Sequence, residues 1–120
     1  MIDKEFLNKI EDIVGYKPLF HDDYILLSTL NFNNIEMQFQ FLQHNAKIFK
    51  NTDIEADIFV TVKFLEISDL TVEAYDFCNN VACIISEFTF EKRDEKYYIE
   101  IEPSCGFYMK FTAKGYEIAK

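Results

Sequence analysis

One short segment of the sequence combines the side chains that acid–base catalysis and metal binding most often use. It is Phe20-His21-Asp22-Asp23, in which a histidine stands beside two carboxylates. Imidazole titrates near neutral pH and also binds metals, and a neighbouring carboxylate can orient its ring. The segment is therefore a candidate for a catalytic or metal site, and a metal would need about two further protein ligands.

The second histidine, His44, is the residue that could complete such a site. Asn33-Asn34 separates two apolar-rich segments, and asparagine tolerates the positive φ angles of a hairpin turn. Antiparallel pairing about that turn sets residues whose numbers sum to about 67 opposite each other, so we expect His44 to face the neighbourhood of Asp23. On this hypothesis, His21, Asp22 and His44 form a small enzymatic or metal site.

The alternative interpretation of this segment is structural. Asp22 or Asp23 can turn or cap the loop through local hydrogen bonds, and one carboxylate or backbone group can hold His21. Short polar side chains commonly play this part in connecting segments. We favour the structural role, and we assign no catalytic, metal-binding or cofactor-binding residue from the sequence.

Two further patterns could support chemistry, and each has a plainer explanation. Glu100 and Glu102 lie on one face of a predicted strand, like the acid pair of a glycosidase, but carboxylates on a solvent-facing strand are common. Ser104-Cys105-Gly106 could present a reactive thiol, yet no positive charge that would activate it lies nearby in sequence, so we expect a turn. The cysteines are odd in number and lack the spacing of a zinc site, so we expect reduced, buried thiols at Cys78, Cys83 and Cys105.

The chain is acidic, and its composition excludes several functional classes. It has 120 residues, of which 21 are acidic and 12 basic, so the formal net charge is −9, and 49% of the residues are hydrophobic. This composition is typical of one folded domain. The negative charge disfavours nucleic acids and anionic membranes as partners. The sequence shows neither a signal peptide nor an apolar run long enough to span a membrane, so we expect a cytoplasmic protein.

Most of the negative charge lies in about a third of the chain. Residues 51–91 include nine acidic residues and one basic residue, Lys63, and so carry −8 of the net charge of −9. Concentrated negative charge speeds and orients association with a positively charged partner, although a solvated face without a partner would have the same composition. The candidate partner-binding residues are Asp53, Glu55, Asp57, Glu66, Asp69, Glu73 and Asp76. Replacing the first three with lysine is expected to slow association and to leave the fold intact.

The sequence predicts one helix, in residues 1–15. Asp3 suits the N-cap position, Ile2 and Leu7 have the spacing of a hydrophobic staple, and Gly15 suits the C-terminal stop. A helix this short must pack its apolar face on a larger surface. That face contains Phe6, Leu7, Ile10, Ile13 and Val14.

Residues 24–119 are expected to form the larger surface, an antiparallel sheet. Apolar and polar residues alternate strictly over residues 35–41 and again over residues 58–65, which is the period of a strand with one buried face. A polar stretch from Gln43 to Asp57 separates these two strands. Further strands are expected at 24–32, 70–75, 81–91, 97–102, 106–112 and 116–118.

These elements predict a single mostly β (α+β) domain over residues 1–120. The N-terminal helix packs on an antiparallel meander of about seven or eight strands, which forms a curved sheet or a small sandwich. Residues 93–96, Arg-Asp-Glu-Lys, are expected to turn between two strands. Because this segment lacks glycine, we do not expect a tight primed turn there.

Three segments also share a pattern with a known family. Residues 15–22 (Gly-Tyr-Lys-Pro-Leu-Phe-His-Asp) open a strand, residues 64–70 precede Asn79-Asn80-Val81, and residues 103–106 (Pro-Ser-Cys-Gly) lead to Phe111-Thr112-Ala113. The first resembles the G-x-x-P-x-F-H-D opening, and the last the s-x-G…F-x-A tail, of the immunity protein 50 family of bacterial polymorphic-toxin systems. The similarity spans about residues 14–119. It departs at Asp23 and Tyr24, where a small residue and an acid commonly follow the His-Asp pair.

The resemblance implies a non-catalytic cytosolic protein that binds and neutralises a cognate toxin, without a cofactor. Nuclease toxins are often basic where they hold nucleic acid, so the acidic segment 51–91 suits a protein that covers such a surface. No inhibitory contact residue is carried over, and we expect the family-like residues His21 and Asp22 to define the fold first. The alternatives are the His/Asp enzyme or metal protein described above, and a carrier of a small apolar ligand in a pocket lined by Phe and Tyr.

Overall fold

The fold packs an N-terminal helix on one antiparallel sheet, and this confirms the predicted α+β class. The computed structural model describes residues 1–31, 33–74 and 82–120. In these residues there are two helices and one sheet of eight strands. The elements are α1 (Lys4–Val14), β1 (Tyr24–Leu30), β2 (Asn34–Phe41), α2 (Gln43–Lys50), β3 (Ile58–Leu65), β4 (Ser68–Ala74), β5 (Ala82–Arg93), β6 (Lys96–Cys105), β7 (Phe107–Ala113) and β8 (Gly115–Ala119).

Helix α1 begins and ends where its sequence signals predict. The backbone N–H of Phe6 donates to Oδ2 of Asp3 at 3.1 Å, which is the N-cap hydrogen bond. Gly15 has a φ of 89° and ends the helix in the left-handed region that glycine adopts without strain. Phe6, Ile10 and Val14 face the sheet and are buried.

The sheet curls because its two ends are joined by very short connections. The strand order is β4-β7-β6-β5-β1-β2-β3-β8. Only Glu66 and Ile67 separate β3 from β4, and only Lys114 separates β7 from β8. The ladder of β3 with β8, which ends at Leu65 opposite Gly115, resumes as the ladder of β4 with β7 at Ser68 opposite Thr112. The chain therefore passes from the β3–β8 end of the sheet to the β4–β7 end twice, once from β3 to β4 and once from β7 to β8, with a bend at each connection.

The space between α1 and the sheet is filled by aromatic rings. The Phe6 ring stacks on Phe90 of β5 at 4.1 Å between centroids, and Phe20 stacks on Phe88 at 4.8 Å. Phe20 belongs to the loop between α1 and β1, where its φ of 67° is unusual for a bulky residue. Its side chain is fully buried, and this packing offsets the backbone strain.

The second helix, α2, was not predicted. It lies in the polar stretch that was expected to connect two strands. The signal for its start is absent locally, because its N-cap residue, Leu42, makes no side-chain cap. Signals for its end are present, since Lys47 and Lys50 lie in its last turn and Asn51 adopts the left-handed conformation after it.

The two predicted hairpin turns differ from expectation in detail. In the first hairpin, Tyr24 pairs with Gln40, whereas the expected register set Tyr24 opposite a residue about three positions later in the chain. This turn lies earlier than expected, where the side chain of Asn31 accepts hydrogen bonds from the backbone N–H groups of Asn33 and Asn34. Strand β1 also has a register shift relative to β2.

The second turn is tighter than expected, because Asp94 supplies a positive φ of 56° in place of glycine.

Candidate functional site

Among the described residues, the polar ones that are buried are Asp23 and Asn45, and they contact each other. Oδ1 of Asp23 accepts a hydrogen bond from Nδ2 of Asn45 at 3.0 Å and another from the backbone N–H of Leu42 at 3.0 Å. Leu42 is the N-cap of α2, and Asn45 lies in the first turn of that helix. Asp23 therefore ties the loop between α1 and β1 to the start of α2.

A second carboxylate, that of Asp57, completes the start of α2. The first N–H groups of a helix have no partners within the helix and need acceptors from outside it. Oδ1 of Asp57 accepts the backbone N–H of Gln43 at 2.7 Å, and Oδ2 accepts Nε2 of Gln40 at 2.9 Å. Two carboxylates from distant parts of the chain thus replace the missing N-cap side chain, and their negative charge also suits the helix dipole.

Burial governs the protonation of this cluster. Loss of contact with water raises the pKa of Asp23, although the hydrogen bonds from Leu42 and Asn45 oppose the rise. Burial, followed by the charges of Asp23 and Asp57, raises the pKa of the Tyr16 hydroxyl to about 12. That hydroxyl is buried and has no hydrogen-bond partner in the described part of the chain. The cluster positions α2, and its buried carboxylate is not exposed to a substrate.

His21 and Asp22 fasten the same loop to β5. Nδ1 of His21 lies 2.9 Å from the carbonyl oxygen of Ser86, and Nε2 lies 3.5 Å from Oδ2 of Asp22. The backbone N–H of Asp22 donates to the carbonyl oxygen of Ile85 at 2.8 Å. These contacts are of the kind that the favoured structural interpretation expects, with a backbone group and a carboxylate holding the histidine.

His44 lies near Asp23, because Leu42 and Asn45 on either side of it bond to the Asp23 carboxylate, but its own side chain is exposed. It lies on the exposed face of α2 rather than at the end of a strand opposite Asp23, because the chain leaves β2 at Phe41. His21 packs beside Phe49 of α2, with 5.8 Å between ring centroids. Phe49 lies five positions after His44, which is more than one helical turn, so the two side chains point to different sides of the helix. Over residues 1–31, 33–74 and 82–120, no group of three or more His, Cys, Asp or Glu side chains is placed to hold a metal ion.

The structure divides the candidate partner-binding acids into two groups. The loop acids lie before β3, and the corner acids lie after it and along β4. Strand β3, whose eight residues span about 25 Å, separates the two groups. The loop acids are Asp53, Glu55 and Asp57, the corner acids are Glu66, Asp69 and Glu73, and Asp76 lies outside the described residues.

Asp57 differs from the other acids because its carboxylate already accepts a hydrogen bond from the start of α2. It is half-buried, whereas the other described candidates are exposed. A lysine at this position would remove both acceptors and bring positive charge to a helix N-terminus. The expectation that all three loop acids can be changed to lysine with the fold intact is therefore corrected at Asp57.

The remaining acids are open to solvent. Glu66 lies 3.9 Å from Nζ of Lys114, both side chains being mostly exposed. Within the described ranges, no salt bridge reaches Asp53, Glu55, Asp69 or Glu73. These carboxylates keep their charge available for another molecule.

A third acidic group lies on β5 and β6. Glu87 stands opposite Glu102 in the ladder, and Glu100 accepts hydrogen bonds from the hydroxyls of Tyr108 at 2.6 Å and Tyr98 at 3.2 Å. Reduced contact with water, together with the charges of Glu100 and Glu87, raises the pKa of Glu102. The sequence alone indicates only the pair Glu100 and Glu102, since the pairing of Glu87 with Glu102 depends on the strand register.

The cysteines differ in state. Cys83 is a free thiol, and its burial raises its pKa to about 12, which makes it a poor nucleophile. Cys105 is disulfide-bonded, so the expectation of reduced thiols is wrong for this residue. Sequence spacing does not show which thiols meet in space. Cys78 lies outside the described residues.

Searches against protein-family models, curated proteins and solved structures each gave no match to this chain. The resemblance to the immunity protein 50 family therefore rests on the motifs quoted above. None of the helices in the described residues is both long and apolar enough to cross a membrane.

Proposed function

We propose that this chain is a non-catalytic binding protein that neutralises a cognate bacterial toxin by covering a basic surface of that toxin. The family resemblance suggests this role, and the charge distribution supports it. The observation that carries the proposal is the set of exposed carboxylates at Asp53, Glu55, Asp69 and Glu73, which no salt bridge of the described chain neutralises. Such charges accelerate encounter with a cationic protein and orient it.

The packing favours this proposal over a carrier of apolar ligands. A carrier needs a cavity between helix and sheet, and here that space holds stacked phenyl rings, with Phe6 and Phe90 only 4.1 Å apart. The His/Asp enzyme or metal protein also loses its main support. The histidine that was to join His21 lies on another side of α2, and Ser86 and Asp22 hold the His21 ring.

The cytoplasm is part of the proposal, and Cys105 provides a test of it. Disulfides persist in oxidising compartments and are rare in a reducing cytosol. The disulfide of Cys105 in the structure counts against a reducing cytosol. Alkylation of free thiols in rapidly quenched cells, followed by mass spectrometry of the intact protein, decides the compartment, because a cytoplasmic protein would show Cys105 reduced. A stably oxidised Cys105 in cells would place the protein in an oxidising compartment instead.

The experiment that tests the function is capture of the partner from the native cells with a tagged chain, followed by mass spectrometry. We expect one basic, toxin-like protein that raised salt releases. Co-expression with that protein is then expected to protect cells from it. Recovery of no such protein, from cells shown to express a candidate toxin, would contradict the proposal.

Two matched charge-reversal variants test whether the loop acids speed association with the partner. Asp53→Lys with Glu55→Lys changes the two solvent-open loop acids and leaves Asp57 in place. The control is Asp12→Lys with Glu95→Lys, which makes the same change in net charge at exposed positions elsewhere. We expect the loop variant to slow association with the captured partner at low salt about tenfold, and the control to slow it far less. Equal effects of the two variants would mean that net charge alone is responsible.

A further inference from the structure

A surface groove of about 600 Å³ lies beside the loop acids. Its apolar lining includes Ile54, Ala56 and Phe59, and its acidic lining includes Asp53 and Glu55. Phe59 is on β3, and 42% of its surface is exposed, which is uncommon for a phenylalanine. The groove therefore combines an open aromatic ring with two carboxylates that no salt bridge of the described chain reaches.

Hydrogen bonds at several points hold the wall of the groove in place. Nε2 of Gln43 donates to the carbonyl oxygen of Ile54 at 2.7 Å, and the backbone N–H of Thr52 donates to the carbonyl oxygen of Ala46 at 3.0 Å. Asp57 fixes the end of the same loop through its bond to the backbone of Gln43. A loop held in this way loses little conformational entropy when a ligand binds.

We propose that this groove receives an arginine-bearing segment of the protein partner. A guanidinium group can stack on an aromatic ring while it donates to carboxylates, and a lysine ammonium matches this arrangement less well. Phe59 supplies the ring, and Asp53 and Glu55 supply the acceptors. Lys120 lines the same groove and competes with the incoming cation. The inference rests on the proposed function, and it adds the docking site and the chemistry of the partner.

Two blocked peptides, hexa-arginine and hexa-lysine, provide the probes. Titration of the labelled full chain at low salt, followed by amide NMR shifts and fluorescence anisotropy, reports where and how tightly each peptide binds. We expect the largest shifts at residues 53–59 and tighter binding of hexa-arginine than of hexa-lysine. Phe59→Leu is expected to reduce the preference for arginine about two- to fivefold, because it removes the cation–π contact.

Three variants complete the test. Asp53→Asn with Glu55→Gln is expected to weaken both peptides, and Lys120→Gln to strengthen both. Phe49→Leu is the control, since Phe49 is exposed to a similar degree on α2, away from the groove. It is expected to leave the arginine preference unchanged. Dispersed amide spectra of each variant confirm that it is folded.

The outcomes separate this inference from the proposed function. Shifts centred on the corner acids or on β5 and β6, with Phe59→Leu binding like the native chain, would overturn the groove and leave a cationic partner in place. Absence of binding to both peptides would also overturn the groove. The proposed function is judged independently, by capture of the toxin and by protection of cells.

Discussion

Asp23 shows how one side chain can connect three parts of a small fold. It follows His21 and Asp22 in the loop, precedes β1, and accepts hydrogen bonds from α2 through Leu42 and Asn45. The sequence indicates that Asp22 or Asp23 can turn or cap the loop. It does not identify the partners, because these lie about 20 positions away along the chain.

Asp23→Ala tests this connection. The substitution leaves the N–H of Leu42 and the amide of Asn45 without an acceptor in a buried place, and we expect the free energy of unfolding to fall by about 2–4 kcal/mol. Urea denaturation measures it. Asp22→Asn is the control, since Asp22 is partly exposed with a φ of 65° that asparagine tolerates, and we expect a change below about 0.5 kcal/mol. Similar losses in both variants would contradict a special role for Asp23.

The raised pKa of Asp23 predicts a pH dependence of stability. Its pKa is higher in the folded chain than the ordinary value of 3.8, so the folded state binds the proton more tightly than the unfolded state does. Its contribution to stability is therefore fully present below pH 3.8 and is lost as the pH rises through the raised pKa.

Comparison with Asp23→Asn isolates this effect, because asparagine does not titrate. Urea unfolding of both proteins from acidic to neutral pH is expected to show the native chain losing stability relative to the variant as the pH rises. Asp22 and Asp57, the nearby carboxylates that raise the pKa of Asp23 further, are present in both proteins. A constant difference across the series would rule out a raised pKa.

At the scale of elements, the two helices differ in where their capping groups come from. Helix α1 takes its cap from Asp3, three residues before Phe6, and its end from Gly15. Helix α2 takes both carboxylates from other segments, Asp23 before it and Asp57 after it. Local caps can be recognised in a sequence, and caps from elsewhere cannot, which is why α1 was predicted and α2 was not.

Asp57→Ala tests the cap of α2. Loss of the acceptor for Gln43 is expected to cost about 1 kcal/mol, and amide hydrogen exchange in Gln43–Lys50 should accelerate about fivefold. Exchange in Lys4–Val14 should stay unchanged. Asp53→Ala, in the same loop, is expected to leave both helices as they are. Equal acceleration in α1 would mean that the substitution loosens the whole fold rather than α2.

At the scale of the whole molecule, aromatic packing joins α1, the loop and the sheet. Phe6 is fully buried and its ring lies near those of Phe20, Phe88, Phe90 and Tyr116. The three elements therefore share one core, and loss of a central ring should affect all of them together.

Phe6→Ala is expected to lower the free energy of unfolding by about 3–5 kcal/mol, a large part of the stability of a domain this size. Phe6→Leu keeps most of the apolar volume and is expected to cost about 1–2 kcal/mol. Thermal unfolding followed by circular dichroism measures both variants. Phe49→Ala removes an exposed ring and is the control. A loss at Phe6 no greater than at Phe49 would mean that α1 does not belong to the common core.

The elements whose signals are local could be predicted from the sequence. Alternation over 35–41 and 58–65 predicted β2 and β3, because side-chain period and burial are properties of the strand itself. The concentration of acids in 51–91 was likewise a matter of composition. The contacts between segments that are distant in sequence could be seen only in the tertiary structure. It placed Asp57 at the start of α2 and brought Lys120 to the groove that Asp53, Glu55 and Phe59 line, because those contacts join residues that are distant in sequence and meet only in the folded chain.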